Sequence, residues 1–259
     1  MTFARLSRMG PALAVDVHRW MEAWGPDPQF RIPREGVTRM AISLHAGDGQ
    51  RATHAFYNKE KYFDYQPERG VVSLKTGARG LKVTEDFITG LQQGLEEEVG
   101  DAAALIMYRA GYEWGLQDMK LFEERFEREF GGRTRMSEAH LIFVLEQWWW
   151  PLTSEGWGAW KVDFSQRKQG LIFCDMYESA VARSLGNIGK PVCHMYAGML
   201  AGVFTYFSRH ELSGIEIQCF SMGEDYCKFL VGAEKRINAA SFWVEEGARA
   251  SEIISRLAK

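Results

Sequence analysis

The sequence predicts an α+β fold, an antiparallel sheet packed with helices, and three observations carry that expectation. Apolar residues recur at helical spacing over long stretches, at 84–99, 102–130 and 191–207, the pattern of helices with a buried face. Strand-like runs come in adjacent pairs joined by short polar turns, 156–164 with 170–176 and 215–220 with 226–231, as hairpin partners do. Helices and strand pairs follow one another in mixed order, without the regular alternation that builds a parallel sheet. At 259 residues, with 46% hydrophobic and 25% charged side chains, the chain has ample length for a core and lies far from disordered or fibrous compositions.

Taken in order, Leu13, Val17, Trp20 and Trp24 fit one helix, which Gly25, Pro26 and Pro28 end. Strand-like runs follow at 37–44 and 52–57, separated by Gly47-Asp48-Gly49, and then at 71–74. Residues 1–83 are therefore expected as an N-terminal helix-plus-strand extension, with dimerisation as its suggested role. Thr84 before Glu85 and Asp86 marks a helix start, since a hydroxyl and acidic groups satisfy the free N–H end. That helix carries Phe87, Leu91 and Leu95 and breaks near Gly100; a second runs over 102–130, with Phe122, Phe126 and Phe130 as its buried stripe. Ser137 is placed to cap a third helix reaching Trp149, which Pro151 is expected to stop. After the first strand pair, linked by Ser165-Gln166-Arg167-Lys168, a helix is expected to begin just after Lys190 with Pro191 in its first turn. The second pair turns at Met222-Gly223-Glu224-Asp225, and Ile237, Val244, Ile254 and Leu257 define one final helix. The expected divisions are 1–83, a ligand-binding domain at 84–233, and a C-terminal helix at 234–259.

Charge and cysteine use narrow the class of function. Lys and Arg number 31 against 34 Asp and Glu, for a net charge of −3, so nucleic acid is not an expected partner. No window approaches the roughly 18 consecutive apolar residues of a transmembrane segment. Arg5 and Arg8 precede a weakly apolar stretch that Pro11 and Asp16 interrupt, which does not make a secretion signal. Four cysteines are too few for a disulfide scaffold in a chain of this length, and all lie between Cys174 and Cys227. A cytoplasmic location is expected.

Cys193 stands at a helix start, and Glu216, Cys219 and Cys227 surround a hairpin. A thiolate is favoured at a helix N-terminus, and three thiolates with one carboxylate would make a closed four-ligand zinc site. The other reading is that these cysteines are reduced core residues and Glu216 a surface charge. Glu216 and Cys219 are an odd number of residues apart, so a regular strand would point them to opposite faces; a shared metal requires a bulge or a strand end between them. Cys174 has no partner in this pattern and is expected in the core.

Five of the nine tryptophans, Trp148, Trp149, Trp150, Trp157 and Trp160, lie within one short segment. Three consecutive tryptophans cannot all face one core from a helix, so some are expected to line a ligand cavity, a groove or a subunit contact. Trp148, Trp149, Trp157 and Trp160 are the ligand-binding candidates, with core and interface packing as the alternative. Gly198 and Gly202 make one side of their helix small, which suits either a ligand or close helix packing. His140, on the approach to the tryptophans, is a candidate axial ligand to a metallated tetrapyrrole.

The pattern Glu216-x-x-Cys219-x-x-x-Gly223-x-x-x-Cys227-x-Phe229, preceded by Cys193, Gly198 and Gly202, resembles the 4-vinyl reductase domain family. Members of that family include small archaeal and bacterial ligand-binding proteins, a protein of bacteriochlorophyll synthesis, and the sensory domains of phenol- and xylene-responsive regulators. The resemblance extends more weakly back to about Thr84. It implies an α+β ligand-binding fold related to trafficking-complex subunits, commonly dimeric, with an apolar pocket beside the metal. It also implies zinc held by three cysteines and a glutamate, which fall on Cys193, Glu216, Cys219 and Cys227. The pocket residues of the phenol sensors do not map onto this chain one by one, and no ATPase or DNA-binding domain is expected after the match.

The function expected is a non-catalytic carrier or sensor, a homodimer, holding a hydrophobic cyclic ligand such as a bilin or chlorophyll precursor, with structural zinc. The alternatives are a tetrapyrrole-modifying enzyme such as a vinyl reductase, a protein-assembly factor, or an aromatic-compound sensor. Catalysis is the less expected outcome, because no nicotinamide fingerprint is present and four protein ligands leave zinc no open position.

Overall fold

The computed structural model describes residues 44–45, 51–52, 62–74, 77–129, 135–139 and 141–258. Short strands β1 (Leu44–His45) and β2 (Arg51–Ala52) pair antiparallel, with Leu44 opposite Ala52. They flank the Gly47-Asp48-Gly49 turn signal; the remainder of both expected strands, the helix at Leu13 to Trp24 and the third Phe of the stripe, Phe130, lie outside the described residues. A second small antiparallel sheet follows in the order β3 (Phe63–Gln66), β4 (Val71–Leu74) and β5 (Arg79–Gly80).

The helical layer begins as its periodicity predicts. Helices α1 (Glu85–Val99) and α2 (Ala102–Glu129) are separated at Gly100, and α2 buries Met107, Met119, Phe122 and Phe126 along one face. Helix α3 (Leu141–Glu155) corrects the sequence reading, because it runs through Pro151 instead of ending before it. A proline inside a helix costs about 3 kcal/mol, but Trp148, Trp149, Trp150 and Leu152 are all buried on either side of it. Burial of side chains this large, at ~25 cal/mol per Å2 of apolar area, outweighs the lost backbone bond.

Four strands form the main sheet, all antiparallel: β6 (Ala159–Asp163), β7 (Leu171–Tyr177), β8 (Ser213–Gln218) and β9 (Cys227–Gly232), in spatial order β6-β7-β9-β8. Between β7 and β8 lie α4 (Ala180–Leu185), which sequence periodicity did not reveal, and α5 (His194–Ser208). Helix α5 starts at Cys193 as its N-cap, so Pro191 precedes the helix where the sequence placed it in the first turn. The expected single C-terminal helix is two, α6 (Glu234–Glu245) and α7 (Ala250–Leu257), parted at Gly247 with φ of 78°.

Alternation along the central strands divides the core. Ile172, Cys174 and Met176 of β7 with Cys227, Phe229 and Val231 of β9 face α2, α3 and α5. Leu171, Phe173 and Leu230 face the other way, against Ile237, Ala240, Ile253 and Leu257. Helices on both faces explain why β7 is apolar almost throughout. Cys174 sits fully buried in the first layer, and burial pushes its thiol well above the ordinary range, as befits an inert core residue.

Helices α2 and α5 meet backbone to backbone. A Cβ on Gly111 or Gly198 would lie 1.9 Å from the carbonyl oxygen of Met195 or Tyr108, and one on Gly115 or Gly202 would lie 2.3 Å from that of Met199 or Tyr112. The two Gly-x-x-x-Gly pairs thus fill each other's gaps. Gly198 and Gly202, candidates for lining a ligand site, are instead spent on this contact, because the space beside them holds the α2 main chain. Replacing Gly198 by Ala should lower stability by about 3 kcal/mol, the upper end of an overpacked core. Gly90, on α1 with nothing near its missing Cβ, should by contrast gain about 0.5–1 kcal/mol as Ala. Urea unfolding of the two variants checks both signs.

Candidate metal centre

The centre is built by an irregularity in β8. Glu216 pairs with Phe229, but the next pair is Gln218 with Lys228, so one extra residue, Ile217, is inserted. This bulge resets the alternation and allows Glu216 and Cys219 to face the same side. Cys219 caps a short 3-10 turn, Phe220–Met222, and Cys227 opens β9 across the hairpin. The backbone N–H groups of Ile188 and Gly189 both donate to the Ser221 carbonyl, at 2.9 and 2.8 Å, which fixes the turn against the loop before α5.

Cys193 enters from that loop. The N–H groups of Val192 and Cys193 donate to Glu216 Oε2 at 3.1 and 2.9 Å. A carboxylate from the sheet therefore takes the place of an ordinary capping side chain at the α5 N-terminus, which explains the late helix start. The other oxygen, Oε1, is buried and has no hydrogen-bond partner. It belongs to a cluster in which one ligand atom each of Cys193, Glu216, Cys219 and Cys227 lie within 4.8 Å of one another, all buried.

The sulfur spacing matches metal coordination and not a disulfide. Cys227 Sγ lies 3.7 Å from both Cys193 Sγ and Cys219 Sγ, far beyond a covalent S–S bond of about 2.05 Å. A tetrahedral metal about 2.3 Å from each sulfur separates them by about 3.8 Å. Hydroxyls flank the cluster, with Ser179 Oγ 3.3 Å from Cys193 Sγ and Ser221 Oγ 2.9 Å from Cys219 Sγ. Ser179 also accepts the Ala182 N–H as the α4 N-cap.

As protein groups alone, the four cannot all carry charge. Hydrogen bonds from Cys193 and Cys227 hold the Cys219 thiol down to about 2. Burial, followed by the bonds that stabilise Cys219, pushes Cys193 up, while burial and the charge of Cys219 push Glu216 up. At Cys227 a bond with Cys193 works downward, but the bond to Cys219 and burial raise the thiol overall. One anion is all this dry site supports without a cation, the condition in which a bound metal deprotonates its ligands.

An aromatic layer adjoins the centre through Tyr196 of α5, whose hydroxyl burial raises most and the neighbouring Cys193 and Cys227 raise further. Tyr196 meets Trp160 edge-on at 5.6 Å and Trp157 at 6.2 Å, and its hydroxyl donates to the Trp157 carbonyl at 3.1 Å. Trp149 stacks on Trp160 at 6.5 Å and 12°. Trp148 turns away, its Nε1 donating to Asp118 at 2.6 Å, and Trp150 packs edge-on against Tyr62 in a separate cluster. Three consecutive tryptophans are thus all buried because α3 is covered on several sides. Trp149, Trp157 and Trp160 share the layer next to the cysteines, Trp148 contributes to the core behind, and His140 lies outside the described residues.

Sequence reasoning passed over Glu146. It lies one turn before Trp149 and Trp150, is 5% exposed, and neither carboxyl oxygen has a hydrogen-bond partner. Its position in an apolar helix was the available signal. Burial pushes its carboxyl up to about 8.

These features define the class, an α+β domain with a buried three-cysteine, one-glutamate cluster beside an aromatic layer. Residues 172–233 match the 4-vinyl reductase (V-4-R) domain family, and this segment contains the whole cluster. Two uncharacterized proteins of Methanocaldococcus jannaschii are 35% identical over 51 residues and 34% over 56, covering 20% and 22% of this chain. The chain spans only 30% and 35% of those relatives' lengths. The crystal structure of the phenol-responsive sensory domain of the transcription activator PoxR, with phenol, aligns over 74% of this chain and 94% of its own. Its TM-score is 0.56 at 19% identity, a likeness of fold. A vinyl-4-reductase family protein from Methanocaldococcus jannaschii aligns over 59% of this chain and 82% of its own, at 17% identity and a TM-score of 0.41. Among the described residues no helix is long and apolar enough to cross a membrane.

The raised carboxyl of Glu146 has a definite sign in pH titrations. Its folded value lies above the unfolded one, so the folded state binds the extra proton and stability falls as pH rises between the two values. From pH 5 to pH 7 this group should remove about 2 kcal/mol. Glu146→Gln should flatten the urea-midpoint profile by that amount over the same interval.

Proposed function

We propose that this chain is a non-catalytic sensor or carrier domain that holds a hydrophobic cyclic small molecule and is braced by a structural zinc ion. The observation that carries the reading is the buried cluster of Cys193, Glu216, Cys219 and Cys227, with sulfurs at tetrahedral spacing and an unpartnered Glu216 oxygen. When bound, zinc supplies the positive charge that lets three thiols and a carboxyl be buried as anions. The residues themselves join the start of α5 to β8 and β9 and so hold Tyr196 against the tryptophans. Four protein ligands fill the coordination shell, which favours bracing over hydrolysis.

The ligand reading rests on the layer of Trp149, Trp157, Trp160 and Tyr196, together with likeness of fold to a phenol-responsive sensory domain solved with phenol. Among cyclic ligands we favour a tetrapyrrole such as a bilin, whose flat apolar area suits several indole faces. A homodimer accords with the exposed Phe87 and Leu91 of α1 and Leu105 and Ile106 of α2, an apolar stretch larger than scattered surface residues.

Metal analysis of the untagged chain should give about one zinc per chain, and Cys219→Ser should lower zinc content and urea midpoint together. Unchanged values in both measurements would instead identify reduced core cysteines. Titration with biliverdin at micromolar concentration should shift the pigment's absorbance band and quench tryptophan fluorescence; the absence of both would remove the tetrapyrrole reading.

A further inference from the structure

We propose that Glu146 is the polar anchor of the ligand site, its carboxyl pairing edge-on with an N–H and a C=O carried side by side on a flat ring, as in a lactam. The inference rests on the small-molecule reading given above and adds the chemistry of the ligand's polar edge.

Three observations lead there. Both oxygens of Glu146 are buried without a partner, and its residue is 5% exposed. On α3, Trp149 and Trp150 follow at three and four positions, on the same side of the helix as Glu146. Trp149 stacks on Trp160, whose own Nε1–H is a second buried polar group without a partner. A donor and an acceptor are thus left unmade around one aromatic stack, whereas Trp148 and Trp157 nearby have theirs on Asp118 and Glu155.

The form of the missing partner follows from the carboxyl. Burial keeps it protonated through neutral pH, so it presents one donor and one acceptor in a single plane. The complement is an acceptor beside a donor, and a ring lactam supplies that pair with a flat apolar body for the indoles. An ammonium ion would leave Trp160 unserved, because it accepts no hydrogen bond. A simple hydrocarbon would leave both groups unserved. No bond is made or broken; the interaction is recognition alone.

The test compares three flat probes on the full chain by calorimetry and tryptophan quenching: 2-quinolone, N-methyl-2-quinolone, which lacks the donor, and naphthalene. Wild type should bind 2-quinolone about tenfold more tightly than the other two, as one added buried hydrogen bond provides. Glu146→Gln, whose amide also offers a donor beside an acceptor, should keep that preference, and Glu146→Leu should lose it while still binding naphthalene. Equal binding of all three probes by wild type would overturn the anchor and leave the apolar site standing. A preference that survives in Glu146→Leu would also overturn it. Failure of every probe to bind would overturn both the anchor and the small-molecule reading. Should the Leu variant not fold, the wild-type comparison and the Gln variant still decide.

Discussion

A carboxylate that is almost wholly buried survives only where its oxygens are engaged, and Glu216 engages its two in different directions. Oε2 accepts two backbone N–H groups at the start of α5, and Oε1 turns toward three thiols. The first interaction gives a helix end what it lacks. The second ties that end to the hairpin. Much of the arrangement around the cysteines depends on this one side chain, and on the single inserted residue in β8 that allows it to share a face with Cys219.

From that point the position of α5 passes outward. Its glycines admit the α2 backbone, and the α2 glycines admit α5 in return. Such an approach leaves no tolerance for a methyl group on either helix, because the opposing atoms are main chain and cannot rotate away. On the sheet side, Gly214 donates its N–H to the Tyr108 hydroxyl at 3.1 Å, and a Cβ on it would lie 2.5 Å from the Ala197 carbonyl oxygen. Helix α5 is therefore clamped from two directions, and Tyr196 is carried with it into contact with Trp157 and Trp160.

The polar groups within the aromatic region are not treated alike. Trp148 and Asp118 satisfy each other, and burial raises Asp118 while the indole N–H draws it back down. Glu146 has no such compensation, and an unserved buried polar group costs about 1–3 kcal/mol. Natural cores contain few of these. Its persistence beside a second unserved group, on Trp160, is the local departure from good packing on which the ligand argument turns.

Much of this protein could be read from residue order alone. Periodicity located α1, α2 and both strand pairs, because each needs only an apolar face at a fixed spacing. The parity of Glu216 and Cys219 even required a bulge before one was seen, since alternation along a strand is a local rule. Other decisions were tertiary. Pro151 does not stop α3, because tryptophans packed on both sides of it outweigh the backbone defect. Helix α5 begins at Cys193 and not near Pro191, because its capping acceptor comes from a strand 23 residues away in sequence. Gly198 and Gly202 were open to two uses until Gly111 and Gly115 were found opposite them. Glu146 was silent in the sequence because isolation inside a core is a property of its surroundings, and no pattern along the chain records it.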